Sequence, residues 1–88
     1  MSEIKLSIQQ IEKMRHAIGL KDGDLRHGQY RAYRNNFVIT GEDKDWEELV
    51  SAGCATKRVF DRQAIYCVSS EGAKHLSRLY NLTIDLGS

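Results

Sequence analysis

The sequence of 88 residues contains no proline and only two cysteines. It has no linker rich in glycine and serine and no internal repeat, so a single domain is expected across residues 1–88. Small secreted domains that rely on disulfides have a denser cysteine pattern, which favours reduced thiols in a cytosolic compartment here. The longest apolar run, residues 64–68, is far shorter than the ~20 residues of a membrane-spanning helix, and residues 1–5 lack a signal-peptide core. We therefore expect a cytoplasmic protein that does not bind membranes.

An excess of charge of one sign is also missing. The 13 lysines and arginines nearly balance the 12 aspartates and glutamates, which gives a formal net charge of +1. A domain that binds nucleic acids mainly through its charge has a stronger basic excess. Hydrophobic residues make up 41% of the chain and charged residues 28%. This balance is typical of a globular domain and excludes a collagen-like, low-complexity or wholly disordered chain.

Apolar residues recur at helical spacing in three segments, which predict helices over residues 7–18, 44–52 and 70–80. Ser7 followed by Gln10 has the form of a capping box at the start of the first helix. Small polar residues precede the other two helices as well. The expected cap residues are Ser7 for the first helix, Thr40 or Asp43 for the second, and Ser69 or Ser70 for the third.

Two segments rich in β-forming residues, 54–60 and 64–69, are separated by the polar residues 61–63 and predict a hairpin. Residues 20–40 are expected to be irregular and rich in loops, and the tail 82–88 is either an edge strand or an extended arm. The predicted fold is a small α+β domain with its helices packed on the hairpin. The expected core consists of Ile8, Ile11, Met14, Ile18, Phe37, Trp46, Leu49, Val50, Val59, Tyr66, Val68, Leu76 and Leu79.

The second half of the chain resembles a winged-helix domain. Leu-Val-x-x-Gly at 49–53, a basic hairpin and Val-Ser-x-x-Gly at 68–72 follow one another as in repressors of the MarR (multiple antibiotic resistance) type. In those repressors the pattern marks the end of the recognition helix, the wing and the start of the next helix. The resemblance covers about residues 46–79 and implies a winged-helix-like fold. MarR-type proteins dimerise through helices outside the wing that have no counterpart here, so a monomer or weak homodimer is expected.

The chain is also similar to small uncharacterised proteins of bacteriophages and prophages. This similarity runs from Arg-His-Ala-Ile-Gly-Leu at 15–20, through Tyr-Arg-Asn-Asn-Phe-Val at 33–38, to the hairpin. It implies a location in the cytoplasm of a bacterial host cell. It also implies a host or phage protein as the partner, because phage accessory proteins often inhibit host enzymes.

An acidic segment at the start of the second helix departs from the repressor pattern. Residues 42–48 contain five acids and one lysine, which gives a local charge of −4. Phosphate groups repel such a surface, so a recognition helix that carries it would oppose the main contribution to DNA affinity. Acids at a helix N-terminus also occur simply because they complement the helix dipole. The functional hypothesis is a protein-binding surface made of Glu42, Asp43, Asp45, Glu47 and Glu48.

Basic residues gather in two other places: the segment 21–34, where four bases stand against two acids, and the hairpin, where three bases stand against one acid. Tyrosines at positions 30 and 33 stand beside the arginines of the first segment and can stack on bases. An ordinary solvated surface accounts for the same pattern. The alternative function is therefore a small DNA-binding protein that contacts phosphates through Arg31, Arg34, Lys57, Arg58 and Arg62.

No motif for catalysis, for a metal or for a cofactor is present. The set Cys54, Cys67, His16, His27 and His75 contains no C-x-x-C or H-x-x-x-H spacing, so no metal site is expected. No cysteine or histidine is accompanied by a recognisable orienting acid or oxyanion loop, and no glycine-rich phosphate loop occurs. We therefore expect a protein without enzymatic activity that acts by protein–protein interaction.

Overall fold

The computed structural model describes residues 6–26 and 28–86, which form three α-helices, five short strands and a 3-10 helix (Asp22–Arg26). The α+β class predicted from the sequence is confirmed. None of the helices in these residues has the length and apolar character that a membrane crossing requires. Residues 1–5 and 87–88, which the sequence assigned to the same domain, lie outside the described residues, as does His27. The elements are α1 (Ile8–Ile18), β1 (Gln29–Arg31), β2 (Phe37–Thr40), α2 (Lys44–Ser51), β3 (Ala55–Phe60), β4 (Gln63–Val68), α3 (Ser70–Tyr80) and β5 (Thr83–Asp85).

A three-stranded antiparallel sheet organises the domain, with β4 in the middle and β2 and β3 on either side. Phe37 of β2 and Lys57 of β3 both lie opposite Tyr66 of β4. Side chains alternate between the two faces of a strand, so these three residues share one face of the sheet. Val38 and Ile65 pair with each other one position along and lie on the other face.

The three helices pack on the face that carries Tyr66, which we call the helix-facing side. Trp46 of α2 stacks on Tyr66, with ring centroids 5.4 Å apart and ring planes inclined by 15°. The ring centroid of Phe37 also lies 5.4 Å from that of Trp46. Met14 of α1 and Leu76 of α3 are fully buried in the same cluster. One core therefore joins every helix to one side of the sheet, and we call the opposite side the outer face.

The helix starts agree with local capping chemistry. Ser7 and Gln10 form the predicted capping box, in which each side chain accepts a hydrogen bond from the backbone N–H of the other residue. Of the alternatives left open by the sequence, Asp43 caps α2 and Ser69 caps α3. Because these bonds involve residues three positions apart, the boundaries follow from the sequence without knowledge of the tertiary fold.

The core agrees with most of the predicted positions. Seven predicted core residues are buried, namely Met14, Ile18, Trp46, Leu49, Tyr66, Val68 and Leu76. Ile11, Phe37 and Val50 are partly buried against the core. The sequence pattern missed several small or terminal residues that are also buried: Ala17, Leu20, Cys54, Ala55, Ala64, Ala73 and Leu82.

Three of the core predictions are wrong. The exposed fractions are 74% for Ile8, 69% for Val59 and 56% for Leu79. Ile8 and Leu79 lie in the first turn of α1 and the last turn of α3, at the ends of their helices. Val59 lies on the helix-facing side, but it is the second residue before the hairpin turn. Its exposure shows that the hairpin extends past the helices that cover the rest of this side.

Residues 20–40 contain more regular structure than the sequence predicted. The strand β1 pairs in parallel with β5 of the tail, from Gln29 opposite Thr83 to Arg31 opposite Asp85. This pairing decides between the two interpretations of the tail, because 83–85 form an edge strand. The β2 strand follows and joins the central sheet. The sequence alone did not place β1 and β2 as two strands of different sheets, because their partner strands lie far along the chain.

The hairpin turn is shorter than predicted. Gln63 belongs to β4 and pairs with Phe60, so only Asp61 and Arg62 form the turn. Both residues have positive φ, 48° for Asp61 and 67° for Arg62. Positive φ at both central residues is the property of a type I′ turn, whose twist suits a tight hairpin.

Candidate functional site

The outer face of the sheet carries apolar side chains that none of the described helices covers. The register aligns Val38, Ile65 and Arg58 in one row across the three strands, and Thr40, Gln63 and Phe60 in the next. Cys67 and Thr56 form a third, shorter row. Val38 is 48% exposed and Phe60 is 72% exposed, while Ile65 and Cys67 are half-buried. Ile65 and Cys67 do not belong to the core cluster or to the residues packed against it.

A continuous apolar run in an antiparallel strand explains this face. Antiparallel strands with one solvated face alternate between apolar and polar residues, whereas strands covered on both faces are apolar throughout. Residues 64–68 of β4 and 37–39 of β2 are apolar at every position. The helices bury only one side of these strands. The apolar run in the sequence is therefore the pattern of strands that are covered on both faces.

Two arginines border the outer face. Arg58 lies in the same row as Ile65, and Arg62 lies in the hairpin turn. Both are exposed, and their side chains have no hydrogen bond or ion pair within residues 6–26 and 28–86. The strand positions of the outer face include no Asp, Glu or Lys. The face therefore combines apolar area with guanidinium groups that are free to bind a carboxylate or phosphate.

Lys57, predicted as a third basic residue of this group, lies on the helix-facing side and is engaged there. Its Nζ forms ion pairs with Glu47 at 2.8 Å and with Glu42 at 3.4 Å. It also lies 5.8 Å from the centre of the Tyr66 ring. The bond to Glu47 raises the pKa of Lys57, which keeps it protonated. Lys57 thus connects the hairpin to α2 and points away from Arg58.

The acidic segment is largely compensated within the domain. Lys13 of α1 contacts Asp43 at 2.7 Å and Asp45 at 2.9 Å. Asp43 also accepts the backbone N–H of Trp46 as the cap of α2. Partial burial disfavours the charged form of Asp43, but the bonds from Lys13 and Trp46 outweigh it and lower the pKa of Asp43. These two acids hold α1 against the start of α2.

Glu47 has a structural role of the same kind. It accepts a hydrogen bond of 2.5 Å from the hydroxyl of Tyr66 and forms the ion pair with Lys57. The bonds from Lys57 and Tyr66 lower the pKa of Glu47. Burial, together with the bond to Glu47, raises the pKa of Tyr66. Of the five acids predicted to bind a partner, only Glu48 is exposed without a partner among the described residues.

These contacts lead to a test of which acids are structural. We expect Glu47→Lys to lower the melting temperature clearly, because it removes the carboxylate that accepts the Tyr66 O–H and places a second positive charge beside Lys57. Glu48→Lys introduces the same charge change one residue away, and its effect should stay within roughly ±0.5 kcal/mol. Thermal unfolding followed by circular dichroism compares the two variants. Equal melting temperatures would contradict the structural role of Glu47.

The other predicted basic residues lie apart from the hairpin. Arg31 is exposed on β1, in the small parallel sheet formed with β5. Arg34 is exposed, donates to the carbonyl oxygen of His16 at 2.8 Å and lies 5.5 Å from the centre of the Tyr33 ring. The structure therefore divides the five predicted basic residues among two sheets and a loop, and only Arg58 and Arg62 adjoin the outer face.

The cysteines and histidines do not form a metal site in the part of the chain that the structure describes. No group of three or more His, Cys, Asp or Glu side chains there has a suitable arrangement. Both cysteines are free thiols. Cys54 is buried in the core, and burial raises the pKa of its thiol, which disfavours the reactive thiolate.

Comparison of the chain with protein-family models, with curated proteins and with solved structures finds no significant match.

Proposed function

We propose that this chain is a non-enzymatic binding domain that acts by docking a protein partner on the outer face of its sheet. One observation carries the proposal: residues 37–39 of β2 and 64–68 of β4 are apolar on both faces, but the described helices cover only one. A large apolar surface left open on a small domain marks a site of interaction. The similarity of segments 15–20 and 33–38 to phage and prophage proteins supports an accessory role in a bacterial host.

The composition of the outer face favours a protein over a nucleic acid. Protein interfaces are enriched in aromatic residues and arginine and depleted in Lys, Glu and Asp, which matches Phe60, Arg58 and the absence of the other charges. Two free arginines would neutralise about two phosphates. A plot of the logarithm of DNA affinity against the logarithm of salt concentration would then have a slope of only about −2. We therefore assign to the partner an apolar contact area with carboxylates placed to meet Arg58 and Arg62.

The order of elements supports a winged-helix-like arrangement as part of the proposal. The strand β2 precedes α2, the hairpin β3–β4 follows it, and β4 lies between β2 and β3 in the sheet. In this arrangement α2 takes the position of the recognition helix and the hairpin that of the wing. Residues 20–26 and 28–40 contain no α-helix before α2, which makes a two-helix DNA-reading motif a poor fit.

Two adjacent residues of β3 provide a matched test. Phe60 lies on the outer face and Val59 on the helix-facing side, and both are about equally exposed. Wild-type protein and the variants Phe60→Ser, Arg58→Glu and Val59→Ser are immobilised, and proteins retained from bacterial lysate are quantified by mass spectrometry. We expect a partner that Phe60→Ser and Arg58→Glu lose and Val59→Ser keeps, because only the first two change the outer face.

Two other outcomes would overturn the proposal. In the first, Glu48→Lys loses every specifically retained protein while Phe60→Ser keeps them all. That result would assign the interaction to the acidic side of α2. In the second, the wild-type protein binds duplex or single-stranded DNA at low salt, and the double variant Arg58→Ala with Arg62→Ala does not. That result would favour the DNA-binding alternative. Circular dichroism of each variant confirms that its fold is unchanged.

A further inference from the structure

The free edge of β2 is a second uncovered feature of the sheet. Among residues 6–26 and 28–86, β2 is paired on one side only, with β4. The residues of β2, Phe37–Thr40, include no charged residue and no proline. Proteins usually protect an edge strand with charges, proline or a covering segment, because its unpaired backbone groups accept another strand. The opposite edge, β3, carries Lys57 and Arg58 and has this protection.

The register identifies which backbone groups of β2 are unpaired. The N–H of Gly41 donates to the carbonyl oxygen of Arg62, one position beyond the pair formed by Thr40 and Gln63. Hydrogen-bonded pairs alternate along an antiparallel ladder, so Ile39 and Phe37 direct their backbone groups to β4. Val38 and Thr40 direct theirs to the free edge.

Before Val38, the edge is already hydrogen-bonded to α1. The N–H of Asn36 donates to the carbonyl oxygen of Ala17 at the end of α1, at 3.1 Å. The side chain of Asn35 bonds both the N–H and the carbonyl oxygen of Val68 and so continues the pairing with β4. α1 therefore closes the edge up to Asn36, and the edge is open from Val38 onward.

A groove of about 300 Å³ runs along this open edge. It is lined by His16 and by Arg34 and residues 36–39. The lining contains no acid, and the arginine and histidine stand at the end nearest the start of β2. The guanidinium of Arg34 uses one nitrogen for the carbonyl oxygen of His16, which leaves other donors available. The groove thus offers the outward backbone groups of Val38, with those of Thr40 just beyond its lining, and a positive group at one end.

We infer that this groove binds an extended segment of a protein partner, which adds to β2 as an antiparallel strand and places a carboxylate beside Arg34. Antiparallel addition matches the rest of the sheet and brings the C-terminal end of the segment to the start of β2. A carboxylate at that end complements the charge of Arg34. The inference rests on the proposed protein binding. It involves the backbone groups of Val38 and Thr40 and the side chain of Arg34, whereas the outer face binds through the side chains of Phe60 and Arg58.

The test uses synthetic peptides as probes. The peptide Thr-Val-Thr-Val-Asp with a free C-terminus is titrated into ¹⁵N-labelled protein, and Thr-Val-Thr-Val-Lys with an amidated C-terminus is the control. We expect the acidic peptide to shift the amide signals of Val38 and Thr40 and to slow their hydrogen exchange. Arg34→Glu should weaken the acidic peptide roughly tenfold and strengthen the basic one, because the charge complementarity is reversed.

Two further variants test the backbone pairing. Val38→Pro removes an N–H that faces the free edge, a position where a strand tolerates proline, and should abolish binding. Should that variant fail to fold, N-methylation of the peptide valines removes the peptide donors with the protein unchanged and should abolish binding as well.

Several results would overturn the inference. One is an absence of amide shifts at millimolar peptide, and another is equal binding of the acidic and the basic peptide. A third is protection of the Val38 and Thr40 amides from hydrogen exchange without peptide, if that protection increases with protein concentration. The last result would identify a second copy of the chain as the occupant. Phe60→Ser should leave peptide binding unchanged, so failure of the outer face and failure of the β2 edge are distinguishable.

Discussion

Trp46→Ala is expected to lower the free energy of unfolding by about 3–5 kcal/mol, the usual cost of removing a large aromatic side chain from a core. Trp46 is completely buried, and its ring centroid lies 5.4 Å from that of Phe37 and 5.4 Å from that of Tyr66. Its ring therefore packs α2 against both β2 and β4. A domain of this size has a total stability of roughly 4–13 kcal/mol, so the variant should be marginally folded or unfolded at room temperature.

Urea unfolding followed by circular dichroism measures this effect, since the variant has no tryptophan fluorescence. Phe60→Ala is the matched control, because Phe60 is an aromatic residue that is 72% exposed on the outer face. Its effect should stay within roughly ±0.5 kcal/mol. Similar losses in the two variants would mean that the aromatic stack is not the centre of the core. The indole N–H of Trp46 has no partner among the described residues, so the stabilisation comes from packing.

Gly72→Ala should destabilise the domain by about 1–3 kcal/mol, although glycine to alanine in a helix ordinarily stabilises by up to about 1 kcal/mol. Gly72 lies in the first turn of α3 and is buried. A Cβ atom there would collide with the carbonyl oxygen of Cys54 and would lie 2.9 Å from Cε of Met14. The same carbonyl oxygen accepts the N–H of Ser69 at 3.0 Å, so it cannot move without loss of that bond.

Gly23→Ala is the matched control for this variant. Gly23 lies in the 3-10 helix, has no atom within 4 Å of a Cβ position and does not have positive φ. Alanine there should be neutral or stabilise by about 0.4–1 kcal/mol, because it restricts the unfolded chain. Urea midpoints that change in opposite directions would confirm the close approach of α3 to residue 54. An unchanged or increased midpoint for Gly72→Ala would show that this contact is looser than the structure has it.

The predictable part of the candidate site is the hairpin and its arginines. Arg58 and Arg62 follow from a polar turn between two β-forming segments, and the structure leaves both side chains free. The acidic residues illustrate the limit of such reasoning. Asp43 and Glu47 looked like a free surface because their partners, Lys13 and Lys57, lie 30 and 10 positions away in the sequence. Ion pairs between distant segments depend on how helices and strands pack, and charge counting along the chain does not detect them.

The sequence by itself determined the three helices, the cap of α1 and the hairpin, because capping and apolar spacing act between residues a few positions apart. It left two candidate cap residues for each of α2 and α3, between which the structure decides. Only the tertiary structure decided the pairing of β1 with β5, the order of β2, β4 and β3, and the sides of the strands that the helices cover. These features join residues up to some fifty positions apart, such as Gln29 and Thr83. The apolar run of β4 was visible in the sequence. That one of its faces is left uncovered follows from the packing of all three helices on the other.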